Sequence, residues 1–172
     1  KKKLKIKKKK KLNIIFFGSI YKSRGLDLFL KLSKKDKNNN YFLYGGNKED
    51  VQRLELNCNN KNLKINSYVS QKKFIMALKK VDICLLPYTK KITVAGNVGD
   101  ISKYTSPLKI FDFMKMGKII IASELSVLKE VLNKKNSILI KDFMNPSKWL
   151  KEITKIKKDK KKQLLIIKNA YY

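Results

Sequence analysis

The sequence predicts an α/β domain built on a doubly wound parallel sheet of about six strands. Three observations carry that prediction. Short apolar runs, such as residues 82–86 (DICLL) and 119–122 (IIIA), are continuous rather than alternating, as in strands covered on both faces. Between such runs lie segments whose apolar residues recur at helical spacing, for example Phe74, Ala77, Leu78 and Val81. The two kinds of segment alternate along the chain, which implies parallel strands joined by right-handed helical crossovers.

At 172 residues the chain suits one domain with a sizeable core. Its hydrophobic fraction of 43% is that of a folded protein, although the formal charge is +29. The charge comes from lysine, since arginine occurs only at Arg24 and Arg53. Lysine, asparagine and isoleucine are all abundant, which an AT-rich coding sequence explains as readily as selection for anionic partners. Such a charge still attracts polyanions and anionic membrane surfaces in a salt-dependent way. No apolar run approaches the roughly 18 residues needed to span a bilayer, and the lysine-rich start lacks the apolar segment of a signal peptide. A cytoplasmic location, at most peripheral to the inner face of the membrane, is the expectation. Cys58 and Cys84 have no metal-ligand spacing and the chain has no histidine, so reduced structural thiols are expected and no metal site. The chain begins with lysine and has no methionine before Met76, which reads as the later part of a longer protein.

Residues 1–11 form a basic linker or tail, and residues 12–172 the domain. Residues 12–17 (LNIIFF) read as a buried strand ending in Gly18-Ser19. A loop carrying Lys22 and Arg24 leads to a helix with Leu26, Phe29, Leu30 and Leu32 on its apolar face. Strand, glycine turn and helix make the unit on which phosphate sites are commonly built, and Lys22 and Arg24 sit where cations face a diphosphate; either is equally an ordinary surface charge. A second strand at 41–44 ends in Gly45-Gly46, and a polar helix begins near Asn47. Residues 63–65 give a third strand. Ser70 is placed to cap the next helix, and residues 82–86 form a fourth strand closed by Pro87-Tyr88. Residues 88–104 have no clear periodicity and form a long loop beyond the carboxyl end of that strand, where ligands bind in open α/β sheets.

Residues 104–130 are the most informative stretch. Ser106 is placed to cap a helix whose first position is Pro107. Leu108, Ile110, Phe111, Phe113, Met114 and Met116 make that helix apolar on nearly every side, the pattern of a buried helix. Gly117 ends it, and residues 119–122 follow as a fifth strand. Lys109 and Asp112 stand out against the apolar background. A helix start, a nearby lysine and a carboxylate one turn in are suited to holding a phosphate and a hydroxyl together. A carboxylate on such a helix needs a partner, and an ion pair with Lys109 or Lys115 is the plainer alternative. Residues 123–132 then read as a helix and 137–140 as a last strand. From Pro146 onwards one or two lysine-rich helices place Trp149, Ile153 and Ile156 on one face.

Four of these pieces, in this order, resemble the C-terminal nucleotide-sugar-binding domain of the GT-B glycosyltransferases of the group 1 (family 4) type. They are FFGSIYKSRGLDLFL, YFLYGG, VDICLLPY and SPLKIFDFMKMGKIIIASELSVLKEVL, and the likeness runs over residues 12–172. The resemblance implies a Rossmann-like domain, the C-terminal half of a GT-B fold, with the acceptor-binding N-terminal domain as its missing partner. It implies that Asp112 occupies the place of the family's ribose-binding glutamate, and Tyr104 that of the glutamate contacting the donor sugar, with Asp100 a substitute from the preceding loop. Arg24 matches a basic residue contacting the diphosphate. Ser19 stands where a second is often found, and Lys22 or Lys109 is placed to supply that charge. Gly18, Ser19, Lys22, Tyr104, Ser106, Pro107, Leu108 and Asp112 are thus the expected donor-binding residues, and Arg24 and Lys109 the catalytic cations.

On this basis the chain is expected to bind a nucleotide-sugar, with neither cofactor nor metal, for transfer to a glycan or lipid-linked acceptor of the cell envelope. Without the N-terminal domain it is expected to be inactive. The rival expectation is a non-catalytic binder of nucleic acid or anionic membrane. Against specific nucleic-acid binding, Phe16, Phe17, Phe29, Phe111 and Phe113 are expected in the core rather than on a stacking platform. Glu124 and Glu130 are expected to be surface charges, Glu124 near the site.

Overall fold

A computed structural model describes residues 9–20, 22–91 and 108–171. Six strands form one parallel sheet: β1 (Asn13–Phe17), β2 (Asn40–Tyr44), β3 (Leu63–Asn66), β4 (Ile83–Leu86), β5 (Ile119–Ser123) and β6 (Ile138–Ile140), in the order β3-β2-β1-β4-β5-β6. The helices are α1 (Leu26–Lys35), α2 (Lys48–Asn57), α3 (Gln71–Lys80), α4 (Lys109–Lys115), α5 (Ser126–Lys129), α6 (Pro146–Lys158) and α7 (Lys160–Tyr171). None of the described helices is long and apolar enough to cross a membrane.

The strands are apolar on both sides because both sides are covered. Ile14 and Phe16 of β1, with Ile83 and Leu85 of β4 and Ile119 and Ile121 of β5, pack on Leu26, Phe29 and Leu32 of α1 and on Trp149, Ile153 and Ile156 of α6. The alternate residues Ile15, Cys84, Leu86, Ile120 and Ala122 face the other way, onto Phe74 and Leu78 of α3 and Ile110 and Phe113 of α4. Each fully buried Phe or Ile contributes about 1.5–3 kcal/mol of transfer free energy. Trp149, wholly enclosed, keeps its indole N–H satisfied by donating to the Phe143 carbonyl at 2.8 Å.

Helix ends follow local chemistry. Asn47 caps α2 by accepting from the Asp50 amide, and the Asp50 carboxylate accepts in turn from the Asn47 amide. Ser70 precedes α3 without a side-chain cap bond, contrary to expectation. Gly117 ends α4 in the left-handed conformation (φ +61°), and the Gly117 and Lys118 amides close on Met114 and Phe113 carbonyls.

Two larger corrections concern the most informative stretch. The helix expected over 123–132 shrinks to α5 because Ser123 completes β5 opposite Ile140, and the Glu124 amide donates to the Ile140 carbonyl. Nor is α4 apolar all round in its environment. Ile110, Phe113 and Met114 are buried, whereas Leu108 is 71% and Phe111 52% exposed. The helix is covered on one side only, so Phe111 leaves the core where it was expected; Phe16, Phe29 and Phe113 are in it.

Candidate functional site

The strand order reverses direction between β1 and β4, whose neighbouring carboxyl ends open a crevice of the type that receives ligands in open α/β sheets. Backbone packing fixes its floor. The Gly18 amide donates to the Tyr44 carbonyl at 3.0 Å, and a Cβ on Gly45 would collide with the Gly18 carbonyl. Gly25, at φ +81° just before α1, lies so close to the Pro87 carbonyl that no Cβ fits there. The Ser23 carbonyl accepts from both the amide and the hydroxyl of Thr89, at 3.1 and 3.0 Å. The loop after β1 is thereby sewn to the segment after β4.

Two cations stand at this seam. Arg24, from the 3₁₀ turn Lys22–Arg24, lies 5.0 Å above the Tyr88 ring centre. Lys109, the first residue of α4, holds its ammonium 4.8 Å from the centre of the Phe17 ring. Burial lowers the Lys109 pKa from 10.5, and the positive charge of Arg24 lowers it further, so the two cations are electrostatically coupled. Burial raises the pKa of the Tyr88 phenol, and the charge and hydrogen bond of Arg24 partly offset it. Among the described residues, neither Arg24 nor Lys109 forms an ion pair. Two like charges held together without a counterion make a ready position for an anion.

Asp112 lies on α4, half-buried, three residues beyond Lys109. Gln71, the first residue of α3, donates to its Oδ2 from Nε2 at 3.2 Å. Neither Lys109 nor Lys115 pairs with it, so the simpler ion-pair explanation of this carboxylate does not hold. Its other oxygen has no hydrogen-bond donor among the described residues.

The remaining expected residues divide. The Gly18 amide, being bonded to Tyr44, is not free to bind an anion, whereas the Ser19 amide has no acceptor among the described residues. Leu108 adjoins Lys109 with its side chain in solvent. Lys22 opens the 3₁₀ turn, but its side chain lies outside the described residues, as do Asp100, Tyr104, Ser106, Pro107 and nearly all of the loop expected over 88–104. Glu124 pairs with Lys129 at 3.9 Å, and Glu130 is exposed. Three contributors escape sequence reasoning: Phe17 under Lys109, Tyr88 under Arg24 and Gln71 against Asp112. Their signal is positional, since Phe17 ends β1, Tyr88 follows β4 by two residues and Gln71 opens α3, and it becomes readable only once the strand order is known.

No curated protein sequence matches the chain. Solved structures do. HepE of Anabaena in complex with UDP-glucose matches with a TM-score of 0.71 at 14% identity, over 94% of this chain and 43% of that one. Sucrose-phosphate synthase from Thermosynechococcus elongatus matches with 0.72 at 13% identity, over 94% and 40%. The C-terminal domain of the group 1 glycosyl transferase LpcC from Francisella tularensis matches with 0.65 at 16% identity, over 93% and 82%. The fold is therefore that of the Rossmann-like C-terminal domains of GT-B proteins, and this chain spans about two-fifths of the solved HepE and synthase chains. The family model for glycosyl transferases group 1 matches residues 11–159, and the chain belongs to that family.

Proposed function

We propose that this chain binds the donor of a glycosyl transfer, a nucleotide-sugar, in the crevice between β1 and β4. The observation that carries the reading is the pair Arg24 and Lys109, two coupled cations without a counterion among the described residues, at the switch point of a glycosyl transferase fold. HepE, of like fold, has been solved with UDP-glucose in place.

Glycosyl transfer breaks the bond between the sugar and the diphosphate, and negative charge grows on the departing oxygen. Cations held in place before the reaction stabilise that charge without reorganising. Arg24 and Lys109 take this role, and the Ser19 amide adds a neutral donor. Asp112, kept in orientation by Gln71, accepts hydrogen bonds from the ribose hydroxyls, each charge-assisted bond contributing about 1.5–3 kcal/mol. The donor-sugar contact is proposed for Tyr104 or Asp100, and phosphate binding for Ser106 with Pro107 and Leu108; of these only Leu108 lies within the described residues. The acceptor, a glycan or lipid-linked acceptor of the cell envelope, is bound by an N-terminal domain. Turnover requires that domain, and the complex works in the cytoplasm, at the inner face of the membrane.

The test is thermal unfolding of the chain with a panel of nucleoside diphosphates and, at the same concentration, with inorganic pyrophosphate. At least one nucleoside diphosphate is expected to raise the melting temperature more than pyrophosphate does, because the ribose contact adds affinity. Equal shifts throughout would refute a donor site that reads the nucleoside.

A further inference from the structure

At the amino edge of the sheet, the end opposite Arg24 and Lys109, a recess of about 870 Å³ lies where the chain enters β1 and β2 and where α6 gives way to α7. Five lysines line it: Lys9, Lys10, Lys157, Lys158 and Lys160. Two are held in position. Lys9 donates to Asp82 at 2.7 Å, and Lys157 donates to the Asn39 side-chain oxygen at 2.9 Å and the Asn38 carbonyl at 3.1 Å. Lys10, Lys158 and Lys160 have no acidic partner among the described residues.

The one carboxylate in the lining, Asp36, offsets one of the five lysine charges and leaves the recess strongly positive. Asp36 spends its oxygens on its own turn, accepting from the Asn38 amide at 3.0 Å, the Asn39 side-chain amide at 2.7 Å and the Tyr41 hydroxyl at 2.9 Å. The rest of the lining is polar and uncharged, without an apolar or aromatic side chain. The apolar surface there is lysine stems and the Thr154 methyl, with no aromatic or aliphatic side chain for a nucleobase or an acyl chain to pack against, whereas pockets for such groups are lined mostly by hydrophobic and aromatic residues. Lysine ammonium groups act as point charges toward phosphate. Lys9 and Lys10 also belong to a run in which nine of the first eleven residues are lysine, which concentrates further positive charge in the sequence beside them.

We propose that this recess is a second anion site, separate from the donor crevice, for a compact ligand carrying several phosphate groups. Recognition is by charge and by the fixed ammonium of Lys157. Because it lies at the opposite edge of the sheet, the site is filled independently of the donor.

The experiment titrates inorganic tripolyphosphate into the chain at about 0.15 M salt, where longer-range attraction is screened. An Arg24→Gln/Lys109→Gln background removes the two cations described at the donor crevice, so failure of the donor reading leaves this measurement unaffected. Tripolyphosphate is expected to bind in that background, and adding Lys10→Gln/Lys158→Gln/Lys160→Gln is expected to weaken binding by about tenfold or more. These three lysines are exposed, so their replacement spares the fold. A control, Lys61→Gln/Lys72→Gln/Lys73→Gln, removes the same charge from exposed positions elsewhere and is expected to leave affinity nearly unchanged. Equal losses in the two triple variants would overturn the proposal, because net charge alone would then explain binding; so would absence of binding in the double-variant background. Co-sedimentation with vesicles containing a polyphosphoinositide, if abolished by the first triple and not the second, assigns the phosphates to a lipid headgroup. Tripolyphosphate binding without vesicle binding assigns them to a soluble ligand.

Discussion

Replacing Lys109 by methionine separates the two roles that its position gives it. Methionine keeps an unbranched stem against the Phe17 ring and removes the charge. In the empty protein the ammonium is half-buried and repelled by Arg24, with no described counterion. Removing a functional-site charge of this kind commonly gains about 0.5–2 kcal/mol of stability. The lost cation–π contact costs about 0.5–1 kcal/mol at an accessible site. Lys109→Met is therefore expected to lie between about 0.5 kcal/mol less and about 1.5 kcal/mol more stable than the parent, a change in melting temperature of roughly −2 to +6 °C for a chain of this size. Donor binding moves the other way. A charge-assisted bond to the diphosphate is worth about 1.5–3 kcal/mol, so affinity for pyrophosphate and nucleoside diphosphates falls about 10- to 150-fold. Thermal unfolding and calorimetric titration of the same preparations measure both. A variant that melts several degrees lower and binds as tightly as the parent would refute the reasoning, since Lys109 would then be a packing residue whose charge is incidental.

Asp112→Asn is expected to weaken nucleoside diphosphate binding about tenfold or more while leaving pyrophosphate binding unchanged, and Glu130→Gln to do little; titrations giving the reverse order would remove Asp112 from the ribose. Gly25→Ala is expected to destabilise the fold by at least about 2 kcal/mol in denaturant unfolding, because a left-handed backbone and the Pro87 carbonyl both oppose a Cβ. The pH dependence has a definite sign. Burial raises the pKa of the Cys84 thiol above 9.0, only partly offset by Lys118, so above pH 9.0 the unfolded chain releases a proton that the folded one keeps, and stability falls as pH rises. Lys109 and Lys118, lowered from 10.5 chiefly by burial, contribute with the opposite sign in the alkaline range. Comparison with Cys84→Ala isolates the thiol: between about pH 8 and 10 the parent is expected to lose about 1.4 kcal/mol more than the variant.

The strands and the helices on the far face were legible because burial on both sides leaves no choice of residue type. Ile119, Ile120 and Ile121 are apolar in sequence for the same reason that they are enclosed in the sheet, and Trp149, Ile153 and Ile156 mark the covered side of α6. The outer side of α4 was not legible. Leu108 and Phe111 are as apolar as Ile110 and Phe113, and a pattern that is apolar on both sides of a helix does not say which side is covered. The same limit applies to α5, where Ser123 and Glu124 suit a helix start as well as a strand end, and pairing with Ile140 decides for the strand.

The candidate site was legible as residue types and illegible as contacts. Arg24 stood out by scarcity, and Lys109 and Asp112 by contrast with their helix. What these side chains touch depends on β1 lying beside β4, a pairing of segments about 70 residues apart that follows from the strand order and from no local pattern. That pairing sets Phe17 and Tyr88 under the two cations and draws the start of α1 against Pro87. It also separates the chain's positive charge into two kinds. Lysines along exposed helix faces are solvated, and each adds little beyond net charge. Arg24 and Lys109 rest on aromatic rings, Arg24 beside the backbone seam, and the cost of holding two like charges near one another is returned when an anion lies between them. A chain selected for general basicity has no reason to bear that cost at the switch point of its sheet, which favours a dedicated diphosphate position over a nonspecific surface for polyanions.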